Sequence, residues 1–258
     1  MNTSMPIKSH TSLPKVLLNA FQENCVFDKD NKQVPLHSNI SVDEAAELNR
    51  AIRDLKPSVS AEVGFAQGIS TLAILQGLED NGAGIHHVID PFQEKFEDVG
   101  LAMVERAGLS SRMQFHRQFA DEVIPNLPEL DFGFIDSSHL FDLTVSEFVM
   151  MDRKLRVGGL IAFHDMWMPS LQKFLRYVLS NRSYEIERSF MPKADMKPAG
   201  STSGLKGLLL KSIQILPGRE RFFNENILTP WNSLNIPNLV ILRKTGLDKR
   251  DWQFHRPF

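Results

Sequence analysis

Four short apolar runs in this sequence end on residues able to grip a ligand or move a proton. Residues 61–71 read AEVGFAQGIST, with Glu62 two places before Gly64 and Gly68 four places after it. Residues 86–90 read HHVID, residues 131–136 read DFGFID with His139 three places further on, and residues 159–164 read GLIAFH, followed by Asp165. Gly64 and Gly68 have no Cβ, so the backbone there can approach a ligand closely and take φ values that other residues avoid. Ser70 and Thr71 then fall in the first turn of a helix, where unpaired N–H groups favour a carboxylate or another anion. The same glycine pair would also serve close packing of helix on strand. Asp90 stands where nucleoside-binding sheets set an acid against ribose hydroxyls, although an Asp before Pro91 also suits a turn. Asp121 either accepts a hydrogen bond from an exocyclic amine or caps the short helix that begins beside it.

Such residues work together only if the elements bring their strand ends to one edge. Short apolar runs alternate with helical periodicity along the chain, the pattern of βαβ units and a mostly parallel sheet. Strands are predicted at 59–64, 86–90, 113–118, 131–136, 159–164, 184–190 and 238–243. Helices are predicted at about 68–78, 94–107, 120–127, 141–155 and 169–179. Ser41 with Glu44 three places later forms a capping box that opens a further helix, DEAAELNRAIRDLK, which Pro57 closes. Residues 1–40 read as an irregular N-terminal arm rich in turn formers. Residues 191–237 are long, Pro-containing and poorly periodic; a loop of that length in a compact domain is usually functional or disordered.

With 258 residues, 42% of them hydrophobic, the chain can bury one sizeable core, and a single domain is expected. A formal charge of -2 gives no global positive field to recruit nucleic acid or an anionic membrane. The lone Cys25 cannot form an internal disulfide, the first ten residues carry no apolar signal region, and no apolar run is long enough to span a bilayer. A cytoplasmic protein with a small-molecule partner is the expectation. The arm of residues 1–40 could pack on a neighbouring copy in a homo-oligomer.

EVGFAQGIST, the acid of VIDPF, DFGFIDSSHLFD and LRVGGLIAFHD, in that order and at these spacings, resemble the class I S-adenosylmethionine-dependent methyltransferases. Within them the resemblance is to the small-molecule O-methyltransferase branch related to macrolide and antibiotic sugar enzymes and, more distantly, to catechol-type enzymes. It covers roughly residues 43–190 and the last strand. It implies a Rossmann-like three-layer α/β/α sandwich whose seven-stranded sheet is mostly parallel with an antiparallel last strand. On that organisation residues 41–190 and 238–245 form the cofactor-binding core and residues 191–237 an insertion over the substrate. The resemblance assigns Glu62, Gly64, Phe65, Gly68 and Ser70 to the amino acid end of S-adenosylmethionine, Asp90 to its ribose, and Ala120 with Asp121 to its adenine edge. Asp136 lies where the branch places a carboxylate near the transferred methyl, and in metal-dependent members that residue is a ligand. His164 and Asp165 match the adjacent pair that supplies the other ligands.

A sulfonium methyl is already electrophilic, so the protein must hold an acceptor oxygen in line with it and ease the loss of that oxygen's proton. A divalent ion on Asp136, His164 and Asp165 would do this. Alternatively His139 would take the proton directly, because its ordinary pKa lies near working pH. An imidazole at 164 departs from the carboxylate-rich ligand pattern and suits softer ions than magnesium, or a base. Two other classes fit part of the pattern. A nicotinamide-dependent oxidoreductase would also use an acid after the second strand, but the third glycine of Gly-x-Gly-x-x-Gly is absent. A non-catalytic nucleoside-binding module would keep the glycine turn alone. His86 and His87 are adjacent in a strand and point to opposite faces, so packing is their expected role.

Overall fold

The computed structural model describes residues 12–190, 238–254 and 256–258. Its elements run α1 (Lys15–Glu23), β1 (Cys25–Phe27), β2 (Gln33–Pro35), α2 (Val42–Leu55), β3 (Val59–Val63), α3 (Ile69–Asn81), β4 (Ile85–Ile89), α4 (Val99–Arg106), β5 (Met113–His116) and α5 (Ala120–Val123). They continue with β6 (Leu130–Ile135), α6 (Phe141–Lys154), β7 (Leu155–Phe163), α7 (Pro169–Asn181), β8 (Tyr184–Phe190) and β9 (Leu239–Lys244). Seven strands form one sheet in the order β5-β4-β3-β6-β7-β9-β8. The first five are parallel, and β9 runs antiparallel between β7 and β8. This is the mostly parallel seven-stranded sheet with an antiparallel last strand that the resemblance implied. The insertion of β9 between β7 and β8 separates it from the dinucleotide-binding strand order.

Each central strand is buried on both faces, which is why GLIAF and LVIL read as continuous apolar runs. Phe132, Phe134, Leu160, Ala162, Leu239 and Ile241 pack on one face against α1 to α4. Ile135, Ile161, Phe163, Val240 and Leu242 pack on the other against α5 to α7. The period-2 alternation of the strands thus builds a three-layer sandwich with two cores. No helix among the described residues is long and apolar enough to cross a membrane.

Three local expectations are corrected. Within the described part of the arm, α1 and the β1–β2 hairpin bury Leu17, Ala20 and Val26 in the core beside α3 and α4, so hydrophobic burial overrides its turn-rich composition. The helix expected at 94–107 is broken. A short 3-10 turn at Gln93–Phe96 ends at Glu97 and Asp98, both with positive φ, and lets Gln93 reach the Ala66 carbonyl before α4 begins. β7 starts four residues early, at Leu155, and its register against β6 slips between Leu130 and Phe132, next to Gly158 at φ +83°. The capping box is present: Glu44 N–H donates to Ser41 Oγ (3.3 Å) and Ser41 N–H to Glu44 Oε2 (2.7 Å). Residues 191–237, read as an insertion over the substrate, lie outside the described residues.

Candidate active site

A cavity of about 650 Å³ opens at the carboxyl ends of β3, β4, β6 and β7. Gly64, Phe65, Ser70, Asp90, Ala120, Asp136, His139, His164 and Asp165 all line it, so the four motif-bearing strand ends do meet in one crevice. Parallel pairing forces this, because each crossover returns the next strand in the same direction and so to the same edge.

Part of this lining is folded around two glycines and one carboxylate. Gly64 has φ +98°, and a Cβ on it would stand 2.1 Å from the Asp136 carbonyl oxygen. Gly64 is therefore needed so that β3 and β6 can close on each other, with Asp136 N–H donating to Val63 O (3.0 Å). Gly68, at φ +81°, does not line the cavity; it is the N-cap of α3 and lets that turn pack on Gly100 and Phe65. Asp90 organises the loop between them. Its Oδ2 accepts from Phe65 N–H and Ala66 N–H, both at 3.2 Å, and its Oδ1 from Phe92 N–H at 2.8 Å. Ala66 is held at φ +45°, a conformation that a non-glycine residue keeps only when its surroundings impose it.

Glu62 and Asp121 fall outside the cavity. Glu62 is fully buried below the turn, where it accepts hydrogen bonds from the Ser70 and Thr71 hydroxyls and faces His86 at 3.4 Å. These bonds fix α3 on β3 and tie Glu62 to Ser70, which does line the cavity. Asp121 is exposed on the first turn of α5. The rim beside it is aromatic instead. Phe92 and Phe119, 47% and 54% exposed, meet edge to face with centroids 5.7 Å apart. No pattern in the sequence distinguished these two from the other phenylalanines.

The lining also holds a chain of carboxylates and imidazoles. His139 Nε2 lies 3.1 Å from Asp136 Oδ1 and 3.2 Å from Asp165 Oδ2. His164 Nδ1 lies 3.5 Å from Asp136 Oδ1, while its Nε2 turns inward to Glu44 Oε2 (3.4 Å) and Asn238 Nδ2 (2.9 Å). His139 and Asp165 both adopt positive φ, 60° and 55°, and Ser170 Oγ of α7 donates to the His139 carbonyl at 2.9 Å. Burial alone would raise the Asp136 pKa, but hydrogen bonds from His139 and His164 hold its carboxyl well below the usual range. Asp136 and Asp165 in turn raise the pKa of His139. Burial disfavours a charged His164, yet Asp136 and Glu44 on either side push it up to about 10. Glu147, whose Oε2 accepts from Ser137 Oγ at 2.6 Å, lines the same cavity, and burial pushes its carboxyl up to about 6. Trp167 is 59% exposed and donates its indole N–H to Asp165 Oδ1 (2.8 Å).

The donor set fits a divalent ion. Asp136, His139 and Asp165 each offer a ligand atom, all within 4.8 Å of one another. Two carboxylates with one imidazole suit a first-row divalent metal. The imidazole in this cluster is His139; His164 lies behind it with one nitrogen committed to Glu44 and Asn238. The residues that motif reading did not reach are Glu44, Glu147 and Asn238. Glu44 showed only its capping-box signal, and its distance to His164 is set by tertiary packing.

Residues 61–166 match a family described as a methyltransferase domain. Caffeoyl-CoA O-methyltransferase 2 of Petunia hybrida is 28% identical over 153 residues, covering 53% of this chain and 61% of the relative. Caffeoyl-CoA O-methyltransferase of Petroselinum crispum is 26% identical over 168 residues, covering 60% and 68%. The chain thus spans about three fifths of the length of the first of these curated relatives. Among solved structures, the S-adenosylhomocysteine-bound methyltransferase PaMTH1 of Podospora anserina aligns with a TM-score of 0.56 at 17% identity, over 67% of this chain and 82% of that one. The O-methyltransferase of Bacillus cereus in complex with S-adenosylhomocysteine aligns at 0.55 and 15%, over 74% and 89%. The sheet order and the strand-end crevice agree with the family match, which places a methyltransferase domain over residues 61–166.

Proposed function

We propose that this protein transfers a methyl group from S-adenosylmethionine to a hydroxyl oxygen of a small molecule in the cytoplasm, with a divalent ion at Asp136, His139 and Asp165. One observation carries the reading: the ion-compatible cluster and the Asp90–glycine turn line a single cavity. The relatives named as O-methyltransferases and the neighbours holding S-adenosylhomocysteine support it.

The chain's own residues divide the work. The N–H groups of Gly64, Phe65, Ala66 and Gly68 are already donated within the protein, so the first turn of α3, from Ile69, is what offers backbone N–H groups to the carboxylate of the cofactor. Asp90 offers acceptor lone pairs to the ribose hydroxyls, and Phe92 with Phe119 gives an apolar rim for the adenine. When bound, the ion supplies a Lewis acid that lowers the pKa of an acceptor hydroxyl. Without it the two flanking carboxylates favour the protonated form of His139, and a protonated imidazole cannot take the proton of an acceptor hydroxyl. Displacement of the His139 proton leaves an imidazole ligand, as metal binding requires. This favours the ion over a free histidine base.

Titration calorimetry with S-adenosylmethionine and S-adenosylhomocysteine is the first test, and failure of both to bind removes the proposal. A panel of hydroxyl acceptors with labelled cofactor then follows, before and after chelation. Turnover is expected to vanish on chelation and to return with one added divalent metal. Turnover that survives chelation would instead support the histidine base.

A further inference from the structure

Glu44 belongs to none of the strand-end motifs, yet its carboxylate is buried directly behind the site. Its Oε2 accepts from the Ser41 N–H (2.7 Å) and hydroxyl (2.8 Å), and its Oε1 accepts from the Asn238 amide at 2.8 Å. Asn238 immediately precedes β9. Because β9 is antiparallel to β7, with Val240 opposite Phe163, the start of β9 lies beside the end of β7, and Met166 N–H donates to Asn238 O at 3.1 Å.

A carboxylate can only accept hydrogen bonds, which fixes the Asn238 amide. The opposite amide orientation would set an oxygen against Glu44 Oε1 at hydrogen-bond distance. With one amide proton on Glu44, the second points to His164 Nε2, 2.9 Å away. A neutral His164 accepts it there and carries its own proton on Nδ1, since the bond made by one ring nitrogen sets the tautomer at the other. A charged His164 instead donates its Nε2–H directly to Glu44 Oε2 (3.4 Å), leaves Asn238 bonded to Glu44 alone, and also keeps the Nδ1 proton. Either way an N–H faces Asp136 Oδ1.

We propose that Glu44 is a positioning residue for this site: through Asn238 and His164 it keeps an imidazole N–H on Asp136 Oδ1 and so fixes a carboxylate that the ion requires. Glu44 touches neither cofactor nor acceptor. Outer partners of this kind govern metal affinity by holding ligands in place, and their loss typically weakens binding without abolishing the fold. The inference rests on the reading of Asp136 as an ion ligand.

The test measures Mn2+ binding and S-adenosylhomocysteine binding separately, by calorimetry, on the full chain. Glu44→Gln is expected to weaken Mn2+ binding by about 10–100-fold while S-adenosylhomocysteine affinity stays at the wild-type value. Asn238→Ala, which leaves the helix cap intact, is expected to move Mn2+ affinity in the same direction and carries the test should Glu44→Gln fail to fold. Ser41→Ala separates capping from positioning: it is expected to lower the thermal midpoint and retain Mn2+ affinity. In a His164→Asn background, Glu44→Gln should have no further effect, because both act through one chain of bonds. Wild-type Mn2+ affinity in Glu44→Gln and Asn238→Ala, or additive losses in the double variant, would overturn the proposal. A wild-type chain that binds S-adenosylhomocysteine but no Mn2+ overturns the ion reading itself, and the proposal with it.

Discussion

Gly64 shows how a residue chosen for what it lacks can hold a site together. Its position combines two demands, a φ of +98° and the approach of the Asp136 carbonyl to within 2.1 Å of where a Cβ would sit. Neither can relax cheaply, because the obstacle is backbone of the neighbouring strand and not the end of a flexible side chain. Gly64→Ala is expected to destabilise the fold by roughly 3–5 kcal/mol, adding overpacking to backbone strain. Gly82 provides the control: it has φ +73° but nothing within 4 Å of an added Cβ. Gly82→Ala should lose only about 1 kcal/mol, the conformational part alone. Urea denaturation of the two variants separates the effects, and equal losses would show that the Asp136 contact is not the cause. The motif reading located Gly64 correctly at the crevice. It could not show that the nearest atom would belong to the protein, because that depends on the register of β3 against β6.

At the level of elements, the β4–β5 edge carries a prediction that the site does not influence. His87 of β4 and His116 of β5 lie on one sheet face with Nδ1 and Nε2 3.0 Å apart and rings stacked at 5.3 Å. His87 is 8% exposed. Burial, and then the neighbouring His116 and His86, push its pKa down to about 4. The folded state therefore prefers the neutral ring, and its stability is full above the unfolded pKa near 6.5. It is lost as pH falls from there toward 4, by up to about 3 kcal/mol. His87→Gln removes the titration, so its stability relative to wild type should improve progressively between pH 7 and pH 4.5 in chemical denaturation. A constant difference across that range would show that His87 does not carry the pH dependence. Adjacency in HHVID sufficed to send His86 and His87 to opposite faces. The partners were illegible, because Glu62 and His116 reach these rings only through parallel pairing across the sheet. The same limit explains the arm, whose turn-rich composition is overridden by burial of Leu17 and Val26 against helices far along the chain.

Across the whole molecule, the two ends of the sheet do different work. Parallel βαβ connectivity made the active end legible, since any sequence that places Gly64, Asp90, Asp136 and Asp165 at strand ends must bring them together. The opposite end had no motif to read. There Asp152, at the close of α6, forms an ion pair with Arg182, accepts from the Tyr184 hydroxyl at 2.6 Å, and faces Lys244 Nζ at 3.3 Å. Lys244 also donates to the carbonyls of Asp152 (2.6 Å) and Leu155 (2.8 Å), and Arg182 stacks over Phe148. These groups join α6, the link from α7 to β8, and the last residue of β9, from positions 30 to 92 apart in sequence. Removing only the acid would leave buried Lys244 without its carboxylate and Arg182 with only Asp248 (3.4 Å), a change of the kind that typically destabilises by about 3–5 kcal/mol. Asp152→Ala is expected to lower the denaturation midpoint by that amount while leaving S-adenosylhomocysteine affinity unchanged below the melting range. Asp152→Asn keeps an acceptor for Tyr184 and should lose less. If Asp152→Ala instead weakened cofactor binding at temperatures where the fold is intact, the crevice would depend on the far edge of the sheet, and the separation of stability from chemistry would fail.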